Sequence, residues 1–338
     1  MTISQASRLL SPEEIAVRAG QQVEFLRLPQ VADVFSARER RLRQCAHENA
    51  MRDFLLFAAD IAHAQHVALQ SFPAVRLPDF DAINAAAHAG KPALAATSWE
   101  RDPQWITALR NMLESMLPTL QTQDAVGAAI RKVLALSDQE IEQQADRLLN
   151  NIMFGLDLAS APLIAAGLQV YWVHMVSAVQ QAHGEDRLAP FGRTDDPSRC
   201  PCCGSLPTAS ISRIDADGSY RYVHCSLCSA QWHVVRIKCT HCDSTKGIQY
   251  QSLQASDDES VGTVRKEAVE AETCDECGHY LKILRMERNP AVEPVADDLA
   301  SLTLDLLVSE AGFQRHGINL MLLFGDPDAQ EPDPGSTH

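Results

Sequence analysis

The chain has 338 residues, 46% of them hydrophobic, enough to bury a sizeable core and to divide into more than one domain. Its 44 acidic against 29 basic residues give a formal charge of −15, which argues against a nucleic-acid partner unless a local basic patch rescues one. Met1-Thr2-Ile3-Ser4-Gln5 carries neither a basic nor an apolar leader region, so a cytoplasmic, reducing location is expected, with cysteines kept out of disulfides.

The first half reads as helix throughout, with no strand pattern. Ser11-Pro12-Glu13-Glu14 and Ser137-Asp138-Gln139-Glu140 are capping boxes, in which a hydroxyl and a glutamate satisfy orphan amides at a helix start. Apolar helical stretches follow at 52–70, 105–117, 127–136 and 141–156, punctuated by turns such as Gly90-Lys91-Pro92. Arg38, Arg40, Arg41 and Arg43 form a basic cluster on a helix; with Glu39 among them they read as a solvated face, and a contact for an acidic partner comes second. Cys45, alone on that helix, reads as a small apolar residue. Residues 158–179 hold no charge and reach membrane-spanning length, but Ser160, Pro162, Gln169, His174, Ser177 and many alanines favour a helix buried in a bundle. His174 is then a core histidine. Residues 183–199, rich in Asp, Gly and Pro, form a linker.

Eight of the ten cysteines then come as four CxxC pairs: Cys200/Cys203, Cys225/Cys228, Cys239/Cys242 and Cys274/Cys277. Two thiolates three positions apart grip one ion from a single tight turn, so four pairs predict two four-sulfur metal sites. Intervals of 21, 10 and 31 residues decide how they combine. The first is a hairpin length: Ser210-Ile211-Ser212-Arg213-Ile214 and Tyr220-Arg221-Tyr222-Val223-His224 alternate around an Asp215-Ala216-Asp217-Gly218 turn, returning Cys225 beside Cys203. Neighbours are therefore paired, Cys200, Cys203, Cys225 and Cys228 as the first site and Cys239, Cys242, Cys274 and Cys277 as the second; a crossed pairing of first with third and second with fourth is the alternative. Residues 232–238 read as a strand between the two zinc-ribbon units. In the second unit, 248–251 and 280–284 read as strands separated by a mobile acidic excursion around Asp257-Asp258-Glu259.

A thioredoxin-type dithiol is the other chemistry of a CxxC, but it wants a strand-to-helix junction, whereas Gly204 and Gly278 follow their pairs as left-handed residues close a metal knuckle. Ligand count does not separate zinc from mononuclear iron: zinc makes the sites structural, iron lets each carry one electron. Cys202 reads either as a spare exposed thiol or as an ordinary small residue. His224, His233 and His241 lie near enough to substitute as ligands, although full sets of cysteines make that unnecessary. After the ribbons, Glu293-Pro294-Val295-Ala296-Asp297-Asp298 starts one further helix, with Val295, Leu299, Leu302 and Leu306 on a face expected to pack back on a ribbon or on the helical domain. The tail from Asp326 is expected to be disordered. No phosphate loop, GxSxG elbow, HExxH or dinucleotide-binding glycine turn is present in the sequence, and no catalytic residue is predicted.

The run Cys200-Pro201-Cys202-Cys203-Gly204-Ser205-Leu206-Pro207, then Cys225-Ser226-Leu227-Cys228 with Trp232 and Arg236, Cys239 and Cys242, Cys274-Asp275-Glu276-Cys277 with Tyr280-Leu281-Lys282, and Asp297-Asp298-Leu299-Ala300 with Leu304-Asp305, resembles the formate dehydrogenase accessory protein family, FdhE. The resemblance implies rubredoxin-like metal units holding iron, with all eight paired cysteines as ligands and zinc as the alternative. It further implies a cytoplasmic accessory protein, not an enzyme, that binds the catalytic subunit of a molybdenum formate dehydrogenase and assists its maturation before export. Cys202 stands where the family is expected to carry an apolar residue. The other readings are a rubredoxin-like electron carrier and a zinc-ribbon nucleic-acid binder; no membrane insertion is expected, and the sequence is compatible with a homo-oligomer.

The expected architecture is α+β and multidomain: an all-α domain over 1–182, a linker over 183–199, a first tetracysteine ribbon over 200–238, a second over 239–290, a C-terminal helix with a strand-like end over 291–325, and the tail 326–338.

Overall fold

A computed structural model describes residues 23–119, 125–184, 190–215, 218–253 and 267–323. The Ser11 capping box, the Ala216-Asp217 turn tip, the acidic excursion at 257–259 and the tail lie outside the described residues.

The helical half is built around Ala161–His183, which is apolar on every side and buried along nearly all its length. It is long and apolar enough to cross a membrane, yet 83% of its most apolar window is buried inside the protein, as expected of a core helix. Its small residues allow close packing: a Cβ at Gly167 would lie 2.8 Å from Leu109 Cδ1 on the helix Gln104–Met116. Arg52–Gln70, Ala125–Ala135 and Asp138–Leu149 complete the bundle, the last opened by the predicted Ser137–Glu140 capping box. That last helix ends well before 156, where Asn151 and Gly155 adopt positive φ. His174 is half-buried, with its ring centroid 4.7 Å from that of Phe72.

Among the described residues, eight strands form one mixed sheet. We label them β1 (Leu26–Arg27), β2 (Pro207–Asp215), β3 (Gly218–Cys225), β4 (Gln231–His233), β5 (Ile248–Gln251), β6 (Val269–Cys274), β7 (His279–Arg285) and β8 (Gln314–Arg315). Two antiparallel ribbons, β4-β3-β2 and β7-β6-β5, follow the predicted hairpin logic. Spacing did not show that they share a sheet: β2 and β7 run parallel, Ser210 opposite Ile283 and Ser212 opposite Arg285, while β8 extends the same edge of β7. Two expectations are corrected. The first half does contain a strand, β1, which pairs with β4 and is too short to show alternation. The strand after Trp232 stops at His233, because Arg221 reaches across to the Lys238 carbonyl (2.9 Å) and draws the connecting segment off the sheet.

The C-terminal helix is two: α8 (Pro294–Ala300), eighth of the α-helices among the described residues, and α9 (Leu302–Glu310), broken at Ser301, whose hydroxyl turns back to the Asp297 carbonyl. α8 packs back as expected through Val295 and Leu299, whereas the break at Ser301 turns Leu306 of the expected face into solvent and buries Leu304 and Val308 instead. The partner of α8 corrects the reading of the arginine cluster. On the helix Val34–Cys45, Arg38 is buried against Glu293 (3.2 Å) and Arg41 forms a two-pronged pair with Asp297 (2.6 and 2.9 Å). Two of the four arginines are thus buried against acids of this same chain, while Arg40 pairs at the surface with Asp33 (3.8 Å) and Arg43 with Glu39 and Asp60 (3.0 and 2.9 Å). The Cys45 thiol beside them is pushed up to about 12, by burial first and by Asp297, which makes it inert at neutral pH.

Candidate metal centres

Each CxxC pair is a tight turn closed by one left-handed residue. Gly204 and Gly278 take φ of 74° and 69°, and Ser229 and Asp243 hold the same place after the second and third pairs at 58° and 63°. The turns share backbone bonds: Gly204 N–H donates to the Cys200 carbonyl (2.8 Å), Asp243 N–H to that of Cys239 (3.1 Å) and Gly278 N–H to that of Cys274 (2.8 Å). This geometry turns amides toward sulfur. Leu227 and Cys228 N–H lie 3.4 Å from Cys225 Sγ, and His241 N–H lies 3.4 Å from Cys239 Sγ.

The eight cysteines gather in two groups of four, Cys200, Cys203, Cys225 and Cys228, and Cys239, Cys242, Cys274 and Cys277. The neighbour pairing is the one formed and the crossed one is not. In the first group the sulfurs of Cys200–Cys228, Cys203–Cys225 and Cys203–Cys228 stand 3.5, 3.4 and 3.6 Å apart; in the second, Cys239–Cys277 and Cys242–Cys274 stand 3.7 and 3.8 Å apart. A disulfide needs about 2.05 Å. A tetrahedron with metal–sulfur bonds of about 2.3 Å has edges of about 3.8 Å, so the donor sets fit a mononuclear ion and the chemistry of four soft thiolates fits zinc or iron.

The two groups sit in different surroundings. The first is fully buried within the main hydrophobic core. Loop amides of Leu94 and Ala96 donate to the Cys202 and Cys203 carbonyls (3.0 and 2.8 Å), and Gln169 of the central helix donates to the Ser226 carbonyl (2.8 Å), itself held by Gln65. In that dry site four thiols cannot ionise independently: burial pushes Cys225 and Cys228 well up, while thiol hydrogen bonds override burial at Cys200 and hold it well below its ordinary value. A dication bound there would balance that crowding. The second group is peripheral, with Cys242 exposed and Cys277 half-buried. Burial works upward on Cys242, but the Ser244 amide and the neighbouring thiols bring it below its usual range, whereas burial raises Cys239.

Cys202 is not an exposed thiol: it is wholly buried beside the first group, and burial with neighbouring sulfur drives it well up. His224 is buried with Nδ1 unpartnered among the described residues, and His233 packs edge-on against Tyr222. His241 stacks on His279, centroids 3.8 Å apart at 11°, with His316 edge-on at 4.9 Å. Sequence reasoning passed over His279 and His316, since only the register of β8 on β7 brings His316 back to the knuckle. It also passed over the buried cluster under α9, where Lys282 meets Asp298 (2.9 Å) and Asp305 (2.5 Å), and Arg315 meets the same two acids (2.7 and 3.2 Å).

Three family models match, described as FdhE, N-terminal over residues 23–187, FdhE, central domain over 199–236, and FdhE, C-terminal domain over 237–322. Protein FdhE of Salmonella dublin is 38% identical over 309 residues, covering 91% of this chain and 94% of the relative. Protein FdhE homolog of Cronobacter sakazakii is 37% identical with the same coverage. The crystal structure of the FdhE protein from Pseudomonas aeruginosa superposes with a TM-score of 0.72 at 32% identity, covering 89% of this chain and all of that one.

Proposed function

Since the chain belongs to the FdhE family of accessory proteins, we propose that it is a cytoplasmic maturation factor that binds the catalytic subunit of a molybdenum formate dehydrogenase before export. Cys200, Cys203, Cys225 and Cys228 hold one ion and Cys239, Cys242, Cys274 and Cys277 the other, iron in a rubredoxin-like setting. The observation that carries the reading is the pair of complete four-sulfur sets, built at tetrahedral spacing into the fold of this family. Complete sets leave no open coordination position, which supports a binding and redox-reporting role over hydrolysis at these sulfurs. The contrast in burial supports a division of labour: the inner ion fastens the sheet to the helical half, and the outer one stands where a partner's thiol or selenol can exchange electrons with it. Iron there supplies one-electron chemistry; zinc would supply only a crosslink.

The test has two parts. Protein purified under nitrogen without added metal is expected to carry about two irons per chain, with a visible spectrum that bleaches with dithionite; two zincs and no colour would remove the redox role and leave a scaffold. Tagged protein is expected to retain the formate dehydrogenase catalytic subunit, identified by mass spectrometry, at moderate ionic strength. Failure to retain it, with metal present, overturns the maturation reading in favour of an electron carrier.

A further inference from the structure

Three histidines crowd the outer sulfur group and belong to neither tetracysteine set. His241 lies inside the Cys239–Cys242 turn, His279 opens β7 two residues after Cys277, and His316 follows β8, which the pairing of His279 with Gln314 lays alongside. His241, His279 and Cys277 each offer a ligand atom within 4.8 Å of the other two. The two imidazoles are stacked face to face at 3.8 Å and 11°, so their in-plane lone pairs run parallel, and the exposed His241 ring has to turn out of the stack for both to meet one ion. His279 Nδ1 donates to the Cys277 carbonyl (2.8 Å), which fixes the ring and its tautomer and leaves Nε2 with a lone pair. That bond is the outer-sphere support that metal-binding histidines commonly carry. A second observation points the same way: His316, 6% exposed and edge-on to His241, keeps Nε2 buried without a hydrogen-bond partner among the described residues. A buried imidazole nitrogen in that state wants a donor, and a metal-bound water is one.

We propose that His241, His279 and the Cys277 thiolate form a third metal site, for a borderline divalent cation such as Zn²⁺ or Co²⁺, in which Cys277 is shared with the outer tetracysteine set. A thiolate has lone pairs enough to bridge two ions, and two imidazoles with one thiolate suit ions of this class. Three protein ligands leave the fourth position open toward solvent, since His241 is exposed and His279 and Cys277 are half-buried. Unlike the two closed sulfur sets, this site takes an outside ligand, water or a soft donor such as a thiolate. The inference rests on the reading of the tetracysteine groups as metal sites, and the test below separates the two.

Metal bound by the full chain as purified is counted first; none at all counts against the tetracysteine reading. The parent, His241→Ala, His279→Ala and His47→Ala, the last a control at an exposed histidine far along the chain, are then dialysed against graded Zn²⁺ and counted again. The parent and His47→Ala are expected to take one ion more per chain than His241→Ala or His279→Ala, with equal content in the sulfur sets. Co²⁺ in the parent is expected to show a thiolate charge-transfer band that the His279→Ala variant loses in part. Equal counts in all four proteins overturn the third site. So does a variant that loses an ion from the tetracysteine set, which would make the histidines mere supports, or an equal loss in His47→Ala, which would make the extra ion adventitious.

Discussion

At the scale of single residues, Cys202 and His174 show how burial decides chemistry. Cys202 lies within one turn of two sulfurs of the first tetracysteine group, yet it is wholly buried and its thiol is driven up by desolvation. It should behave as packing: Cys202→Ala is expected to keep metal content unchanged and to cost about 1 kcal/mol by denaturant titration, the loss of one buried atom's contacts. A fall in bound metal would instead make Cys202 a ligand. His174 carries a pH dependence whose sign is fixed by its environment. Burial lowers the imidazole below its ordinary range, whereas in the unfolded chain it titrates near about 6.5. Below that pH the unfolded state binds the proton more readily, so stability falls as pH falls from about 6.5 toward the depressed folded value. His174→Phe, set against Phe72, is expected to flatten this part of the profile in thermal melts at about pH 7.5 and 5.5; an unchanged slope would assign the acid sensitivity to other groups.

At the scale of elements, α8 and α9 are fastened by buried charge as well as by the apolar packing of Val295, Leu299, Leu304 and Val308. Lys282, with no side-chain exposure, bridges Asp298 and Asp305, while Arg315 pairs with both and Asn319 donates to Asp298 (2.8 Å). Burial works upward on Asp298, but Arg315 and Lys282 outweigh it and hold the carboxyl below its usual range. Removing the lysine leaves carboxylates short of a counter-charge in a dry site, so Lys282→Met is expected to cost about 3 kcal/mol, more than an exposed pair is worth. The check is the shift in denaturant midpoint, and a neutral result would show that Arg315 alone suffices. These elements also mark what the sequence could and could not reveal. Most helices, the hairpin β2–β3 and all four knuckles were legible because period, capping and cysteine spacing are local signals, but the helix Phe80–His88 and the break at Ser301 were not. β1, with two residues, and β6, Val269–Cys274, whose alanine and two glutamates are poor strand formers, were not. Glu270 and Glu272 are buried because Arg285, Arg288 and Arg221 meet them, and such pairing is visible only once the strands are side by side.

At the scale of the whole molecule, the sequence told how the eight cysteines divide but not that the two groups differ in kind, since that difference comes from long-range packing. Gln65, Gln169 and the loop at 94–96 bury the first knuckle pair in the core of the helical half, whereas the second stands at the far ribbon with Cys242 in solvent. An ion in the first set would thus act as a fastener between the two halves, and its loss would leave four unpaired thiols in a dry core. An ion in the second set can be reached by a chelator without unfolding anything else. Metal release to an excess chelator is therefore expected in two phases, one ion leaving fast from the native protein and the other only at the rate of global unfolding followed by circular dichroism. Cys242→Ser should abolish the fast phase with little change in Tm. Cys228→Ser should abolish the slow one and lower Tm by roughly 10 °C, given about 2–4 °C per kcal/mol for chains of comparable size. Release of both ions in a single phase, or equal damage from the two substitutions, would mean that the outer ion is as deeply tied to folding as the inner one, and would remove the physical basis for assigning them different tasks.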